Sequence, residues 1–187
     1  MASLDDQKRA LRAEVRARLP RPGSPEFVSA SVRAQERLLE RALQGVPGMV
    51  ALYRALPAEC GTDAVAAALQ EAGREVCYPV VAPGERALRF HRGAGAFVAG
   101  AFGVEEPTGA KVALEEIGLL VVPALAVDAR GRRLGRGKGH YDATLALFSG
   151  SSVALIFDSQ LVPEVPVGEH DRRVDAVCTE LRWLQVP

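Results

Sequence analysis

An α/β fold, a mostly parallel sheet with helices on both faces, is predicted by three features of this chain. Near-continuously apolar runs at residues 117–127 and 153–157 read as strands covered on both sides. They alternate with amphipathic helical stretches, the pattern that builds parallel sheets through crossover connections. A glycine-rich basic segment directly follows the central apolar run, and ligands in such sheets bind beyond the carboxyl ends of the strands. No repeat, low-complexity tract or linker divides the 187 residues. The expectation is one domain over 1–187, Rossmann-like in three layers, burying roughly 70% of its unfolded surface.

Ser3 opens the first helix with Asp6 three residues on, a capping arrangement, and Pro20 ends it after Leu19. Leu4, Leu11, Val15 and Leu19 share one face at helical spacing. Lys8 falls inside that stripe and Arg12 on its edge. Two placements fit Lys8: it snorkels to water, or the helix lies beside a cleft that the lysine enters. Pro25, after Ser24, occupies the first position of a second helix. That helix carries Phe27, Ser31, Ala34, Leu38 and Ala42 on one side and stops at Gly45 and Pro47. Residues 49–53 form a short buried strand. A loop with Leu56 and Glu59 then leads to a capped helix over 63–72, closed by Gly73. Residues 76–81 are the next strand, and Pro83-Gly84 turns the chain into a hairpin partner at 88–90. The stretch 93–109 is rich in glycine, lacks a period and reads as loop, although Phe102-Gly-Val-Glu-Glu-Pro-Thr108 within it is too specific for a spacer. A long loop at 158–173, with Pro163 and Pro166, precedes a last strand within 175–180.

Composition narrows the partners. The chain is 48% apolar and 25% charged with a formal net charge of zero, and its pI is about 6.8. No global field draws in nucleic acid or an anionic membrane. Cys60, Cys77 and Cys178 are odd in number and far apart, which argues against a disulfide framework or a zinc site and fits a reducing compartment. The N-terminus lacks the apolar core of a signal peptide, and no apolar run reaches the ~18 residues of a membrane span. The expectation is a soluble cytoplasmic protein.

Against that neutral background, the segment from Asp128 to Asp142 places five cations, Arg130, Arg132, Arg133, Arg136 and Lys138, within nine residues. Gly131, Gly135, Gly137 and Gly139 are interleaved with them. Glycines let backbone N–H groups approach a ligand, a helical run at 141–148 adds free donors at its start, and the cations complete a phosphate cradle. Asp142, at the rim, is placed to hold a hard metal ion. The spacing is neither a P-loop, since Arg132 and Gly139 stand where that motif needs glycine and a hydroxyl, nor a dinucleotide fingerprint, since His140 replaces its third glycine. A solvated basic turn is the alternative. Taken alone, Glu59 reads as an exposed loop acid and Asp171 as a surface ion pair. His91 reads as a hairpin residue, and no nucleophile elbow accompanies His170.

The run Leu119-Leu-Val-Val-Pro-Ala-Leu-Ala-Val-Asp-Ala-Arg-Gly-Arg-Arg-Leu-Gly-Arg-Gly-Lys-Gly-His-Tyr-Asp-Ala-Thr-Leu145 resembles the signature of the 5-formyltetrahydrofolate cyclo-ligase family, also called 5,10-methenyltetrahydrofolate synthetases. Further matches follow in order: Lys8-Arg-Ala-Leu-Arg12, the Tyr53–Thr62 segment with Glu59, Val76-Cys-Tyr-Pro-Val80, Gly103-Val-Glu-Glu-Pro107, and Pro166–Asp175 with Asp171. The resemblance implies an enzyme that uses ATP and magnesium to cyclise 5-formyltetrahydrofolate, with or without a polyglutamate tail, to 5,10-methenyltetrahydrofolate. ADP and phosphate leave, by way of a phosphorylated formyl group. It implies catalytic roles for Lys138 and Arg136, and a nucleotide site of Lys8, Arg9, Arg12, Gly135, Arg136, Gly137, Lys138, Gly139, His140 and Tyr141. It further implies a folate site of Glu59, Leu56, His140 and Tyr141, and metal ligands Asp142 and Asp171. Monomer or weak homodimer is the expected state, with neither nucleic acid nor membrane as partner.

Two positions depart from the family pattern. His140 stands where the first of two tyrosines is usual, and Val127 where an aromatic residue commonly precedes the aspartate. Both departures predict altered folate binding. Two other readings compete: a non-catalytic ATP- or folate-binding relative acting as regulator or sensor, and a small RNA-binding domain using the basic segment. The neutral pI and few aromatics count against the latter.

Overall fold

A computed structural model describes residues 2–43, 46–100 and 103–187 of the chain. The stop at Gly45 and the expectation for Phe102 lie outside those residues, as does the side chain of Ala42. The first helix, α1 (Leu4–Arg18), starts as expected, with the Ser3 hydroxyl accepting from the Asp6 amide at 3.2 Å. The second, α2, is Pro25–Leu43. The third, α3 (Asp63–Glu71), lacks a side-chain cap from its own Thr62. That hydroxyl instead donates to the Tyr53 carbonyl at 2.6 Å, and Gln35 of α2 accepts from the Ala64 amide at 3.0 Å. The cap is thus a tertiary contact between two helices.

The main sheet has eight strands in the order β13-β12-β10-β7-β1-β2-β3-β6. Its five central members, β12 (Ala176–Cys178), β10 (Ser151–Leu155), β7 (Ile117–Val122), β1 (Met49–Ala51) and β2 (Val76–Val80), pair in parallel. Antiparallel strands close both edges: β13 (Trp183–Gln185) on one side, β3 (Arg89–Arg92) with β6 (Lys111–Val112) on the other. The predicted hairpin between 76–81 and 88–90 is β2–β3.

Side chains alternate cleanly across this sheet, as the two-residue period requires. Val50, Leu119, Val121, Val153 and Leu155 meet Ala34 and Leu38 of α2 and Val65 and Leu69 of α3 on one face. Ala51, Leu120, Val122 and Ala154 face the other way. That second face is covered by the short helix α4 (His140–Leu145), by Phe148 and by Val127 of a small three-stranded sheet, ordered β11-β8-β9. Its strands are β11 (Leu161–Val162), β8 (Ala126–Asp128) and β9 (Arg133–Leu134). Val15 of α1 packs on this small sheet through Ala126, Leu134 and Val162. Helical cover of the two faces is therefore unequal.

Several expectations need correction. The single strand read at 117–127 is two strands in two sheets, because Pro123 cannot donate in a ladder and the chain leaves the main sheet there. The loop read at 93–109 contains an antiparallel pair, β4 (Phe97–Ala99) with β5 (Glu105–Pro107). The loop at 158–173 contains β11, the helix at 141–148 is the shorter α4, and β13 extends the sheet beyond the last strand expected. All three cysteines are buried, and burial pushes each thiol up to about 12, so none is a thiolate at neutral pH. No helix among the described residues is long and apolar enough to cross a membrane.

Candidate active-site cleft

A cleft of about 360 Å³ opens at the carboxyl ends of β1, β2 and β7, where Tyr53, Arg54, Pro79, Val81, Pro123 and Ala124 line it. This is where chains leave a parallel sheet and side chains of several strands converge. Every residue expected in a nucleotide, folate or metal role lines it except Arg9. Arg9 turns outward, 77% exposed and 3.1 Å from Asp6. At 100° per residue, Lys8 and Arg12 share the face toward the cleft and Arg9 does not.

Lys8 enters the cleft. Its ammonium donates to Asp171 Oδ2 at 2.5 Å, which also accepts from the Gly168 amide at 2.6 Å. Burial alone would raise the Asp171 carboxyl, but the Gly168 amide, Lys8 and Arg133 outweigh it and hold the group below its ordinary value. A carboxyl depressed in the folded state stabilises fully above its unfolded value and loses that contribution as the pH falls through the folded one. Wild type should therefore melt higher than Asp171→Asn above about pH 4, with the gap closing in more acid solution. Melting curves between neutral pH and pH 3 that keep a constant gap would contradict this.

The basic segment is not one loop. Residues on β8 and β9 pair antiparallel, Val127 with Arg133 and Ala126 with Leu134. Asp128, 1% exposed, organises the turn between them. Its carboxylate accepts from the amides of Arg130 and Arg132, from Arg132 Nε at 2.7 Å and from the Val165 amide. This divides the five cations. Arg132 pairs with Asp128 and Glu164 away from the cleft, while Arg133, Arg136 and Lys138 line it. Gly137 and Gly139 follow at φ 102° and 75°, a region where a Cβ costs about 1–2 kcal/mol. Arg12 Nε donates to the Gly135 carbonyl at 3.0 Å and ties α1 to the loop.

Arg133, one of the five cations of the expected cradle but given no role by the family resemblance, is the floor of the site. It is 3% exposed, donates to Asp142 Oδ1 at 2.9 Å and lies 5.7 Å from the centre of the Tyr141 ring. Its Nε is buried without a hydrogen-bond partner among the described residues. Burial, then the Glu59 charge, pushes the Tyr141 phenol well above its ordinary value, so it stays a neutral donor.

At the other end, Arg136 Nε donates to Glu59 Oε1 at 2.9 Å, and Glu59 Oε2 accepts from the Leu56 amide at 2.9 Å. The wall beyond is mostly apolar: Leu56, Pro79, Val81, Leu88 and Val104, with Glu106 among them. His140 lines the cleft with Nδ1 2.9 Å from the Arg86 carbonyl. Val127 does not. It is wholly buried in the second core, so the departure there acts on packing beneath the site and not on a ligand directly. Asp142 and Asp171 both line the cleft, and no group of three or more potential metal-binding side chains occurs among the described residues. Two carboxylates suit magnesium, which keeps waters and phosphate oxygens in its shell.

Residues 5–180 match the model of the 5-formyltetrahydrofolate cyclo-ligase family. The 5-formyltetrahydrofolate cyclo-ligase of Mycolicibacterium smegmatis is 41% identical over 95 residues, 48% of this chain and 49% of that protein. The chain thus spans about half the length of that relative where they match. The Escherichia coli K12 protein of the same name is 30% identical over 139 residues, covering 70% of this chain and 76% of its own. Among solved structures, the 5,10-methenyltetrahydrofolate synthetase of Aquifex aeolicus superposes with a TM-score of 0.77 at 26% identity, over 96% of this chain and 92% of that one. That of Mycoplasma pneumoniae gives 0.75 at 17% identity, over 92% and 98%, a likeness of fold.

Proposed function

This chain belongs to the 5-formyltetrahydrofolate cyclo-ligase family, and from that premise we propose that it converts 5-formyltetrahydrofolate to 5,10-methenyltetrahydrofolate at the expense of ATP. The supporting observation is one cleft with a cationic end and an apolar end, assembled from segments as distant as Lys8, Glu59, Lys138 and Asp171. The formyl oxygen attacks the γ-phosphorus and ADP leaves. N10 then attacks the activated carbon, its proton is lost, and the C–O bond breaks with departure of phosphate. The first step develops charge on phosphoryl oxygens, and the second on the departing phosphate; both ask the protein for positioning and fixed positive charge.

Lys138 and Arg136 supply that charge beside the γ-phosphoryl group, and Lys8 and Arg12 line the nucleotide's path with the amides of 135–139. Arg133, buried at the floor of the cleft, adds fixed positive charge beneath the phosphates. Arg9, exposed on the outer face of α1, contributes only long-range attraction. Asp142 and Asp171 would hold magnesium, which would supply positive charge to the nucleotide's phosphates. Lys8 and Arg133, now paired with these carboxylates, line the same cleft. Glu59 accepts from the pterin, and Leu56, Tyr141 and His140 pack on it.

Mixing protein, magnesium, ATP and (6S)-5-formyltetrahydrofolate should raise the near-ultraviolet absorbance of the methenyl product. A flat trace from folded protein that still binds ATP would replace this reading with the non-catalytic one. His140→Tyr should tighten folate binding about threefold, because a larger ring adds stacking area worth roughly 0.5–1 kcal/mol, and change ATP binding less. Titration calorimetry with each ligand measures both, and equal folate affinities would remove His140 from the folate site.

A further inference from the structure

We infer that Arg54 is a positioning residue that pins the β4–β5 hairpin against the folate end of the cleft. This rests on the functional reading above.

The hairpin forms part of the cleft wall, through Val104 just before β5 and Glu106 within it. A two-stranded pair is marginal without support from outside. Three anchors tie it to the body of the protein among the described residues. Glu106 Oε1 accepts from the Val81 amide at 3.0 Å, beyond the end of β2. Phe97 of β4 meets Tyr78 of β2 edge-on, with ring centres 5.4 Å apart. The remaining anchor is Arg54, which the chain presents just beyond the carboxyl end of β1. Its guanidinium donates to Glu105 of β5 at 3.1 Å and to Asp63, the first residue of α3, at 2.8 Å. It also lies 5.1 Å from the centre of the Phe97 ring of β4. One side chain therefore touches both strands of the hairpin and joins them to the rigid end of the sheet.

The geometry of arginine explains the choice. A planar fork reaches two carboxylates in different directions while its face rests on an aromatic ring, which the point charge of lysine cannot do. Each interaction alone is weak, because Asp63 and Glu105 are 79% and 60% exposed. Together they select one seating of the hairpin, and that seating sets where Val104 and Glu106 stand relative to bound folate. The cationic end of the cleft lies on other elements, α1 and the 135–139 loop, so nucleotide binding does not depend on it.

The test uses full-length Arg54→Met, which keeps the apolar stem. The KM for 5-formyltetrahydrofolate should rise about tenfold, the combined effect of removing two exposed ion pairs and one cation–π interaction at once. The KM for ATP, kcat and the melting temperature should stay close to wild type, and Arg54→Lys should fall between. Glu105→Gln separates positioning from direct contact with substrate. If Arg54 acts through the hairpin, the double variant Arg54→Met/Glu105→Gln is no worse than Arg54→Met. Additive effects, or equal rises in both KM values, would overturn the inference. Wild type that binds folate no more tightly than Arg54→Met would overturn it alone. Wild type that takes up no folate at all would sink the functional reading and this inference with it.

Discussion

Lys138→Ala should lower turnover by about 10²–10³-fold, the usual consequence of removing one group that stabilises developing charge. The side chain is exposed at the cleft and sits between Gly137 and Gly139, so its removal leaves no cavity. Folding stability should therefore move by no more than about 0.5 kcal/mol. The loss should appear in kcat and kcat/KM alike, because the interaction matters most when charge is transferred. Lys138→Arg keeps the charge but replaces a compact ammonium with a longer planar fork, and should recover only part of the rate. Steady-state methenyl formation beside a melting curve separates the two effects. A variant that melts like wild type and turns over within threefold of it would remove Lys138 from the chemistry.

Arg133→Met should produce the largest change in stability, about 3 kcal/mol, the low end of what breaking a buried ion pair costs. The low end applies because Asp142 stays 21% exposed and keeps the Arg172 amide as a donor at 3.2 Å. For a chain of this size that corresponds to a fall in melting temperature of roughly 6–12 °C. The origin is the carboxylate left without its counter-ion more than the missing pair itself, so Arg133→Met/Asp142→Asn should recover most of the loss. Urea unfolding of the two single variants and the double gives the coupling directly. A double variant less stable than either single would show that packing against Tyr141, and not charge, sets the effect.

Local sequence was sufficient for what local physics controls. The apolar runs read at 117–127 and 153–157 fell on central strands, observed at 117–122 and 151–155, and Ser3 capped α1 as its side chain allows. The order of motifs announced the family. Elements of two or three residues lie below any detectable period: β4, β5 and β13 exist because neighbours supply their hydrogen bonds. The same holds for the cap of α3, which Gln35 provides from another helix.

Direction of charge was likewise a tertiary decision. Five cations looked equivalent along the chain, but the Asp128 turn sends Arg132 out to Glu164 and the β9 pleat sends Arg133 in to Asp142. Lys8 and Arg9 are neighbours in sequence, yet only Lys8 meets an acid 163 positions away. Val127 looked like a ligand-binding departure and is core. Hydrophobic period and backbone propensity are written within a few residues. Which charge is buried against which, and what a side chain faces, depends on segments that meet only when the sheet has formed.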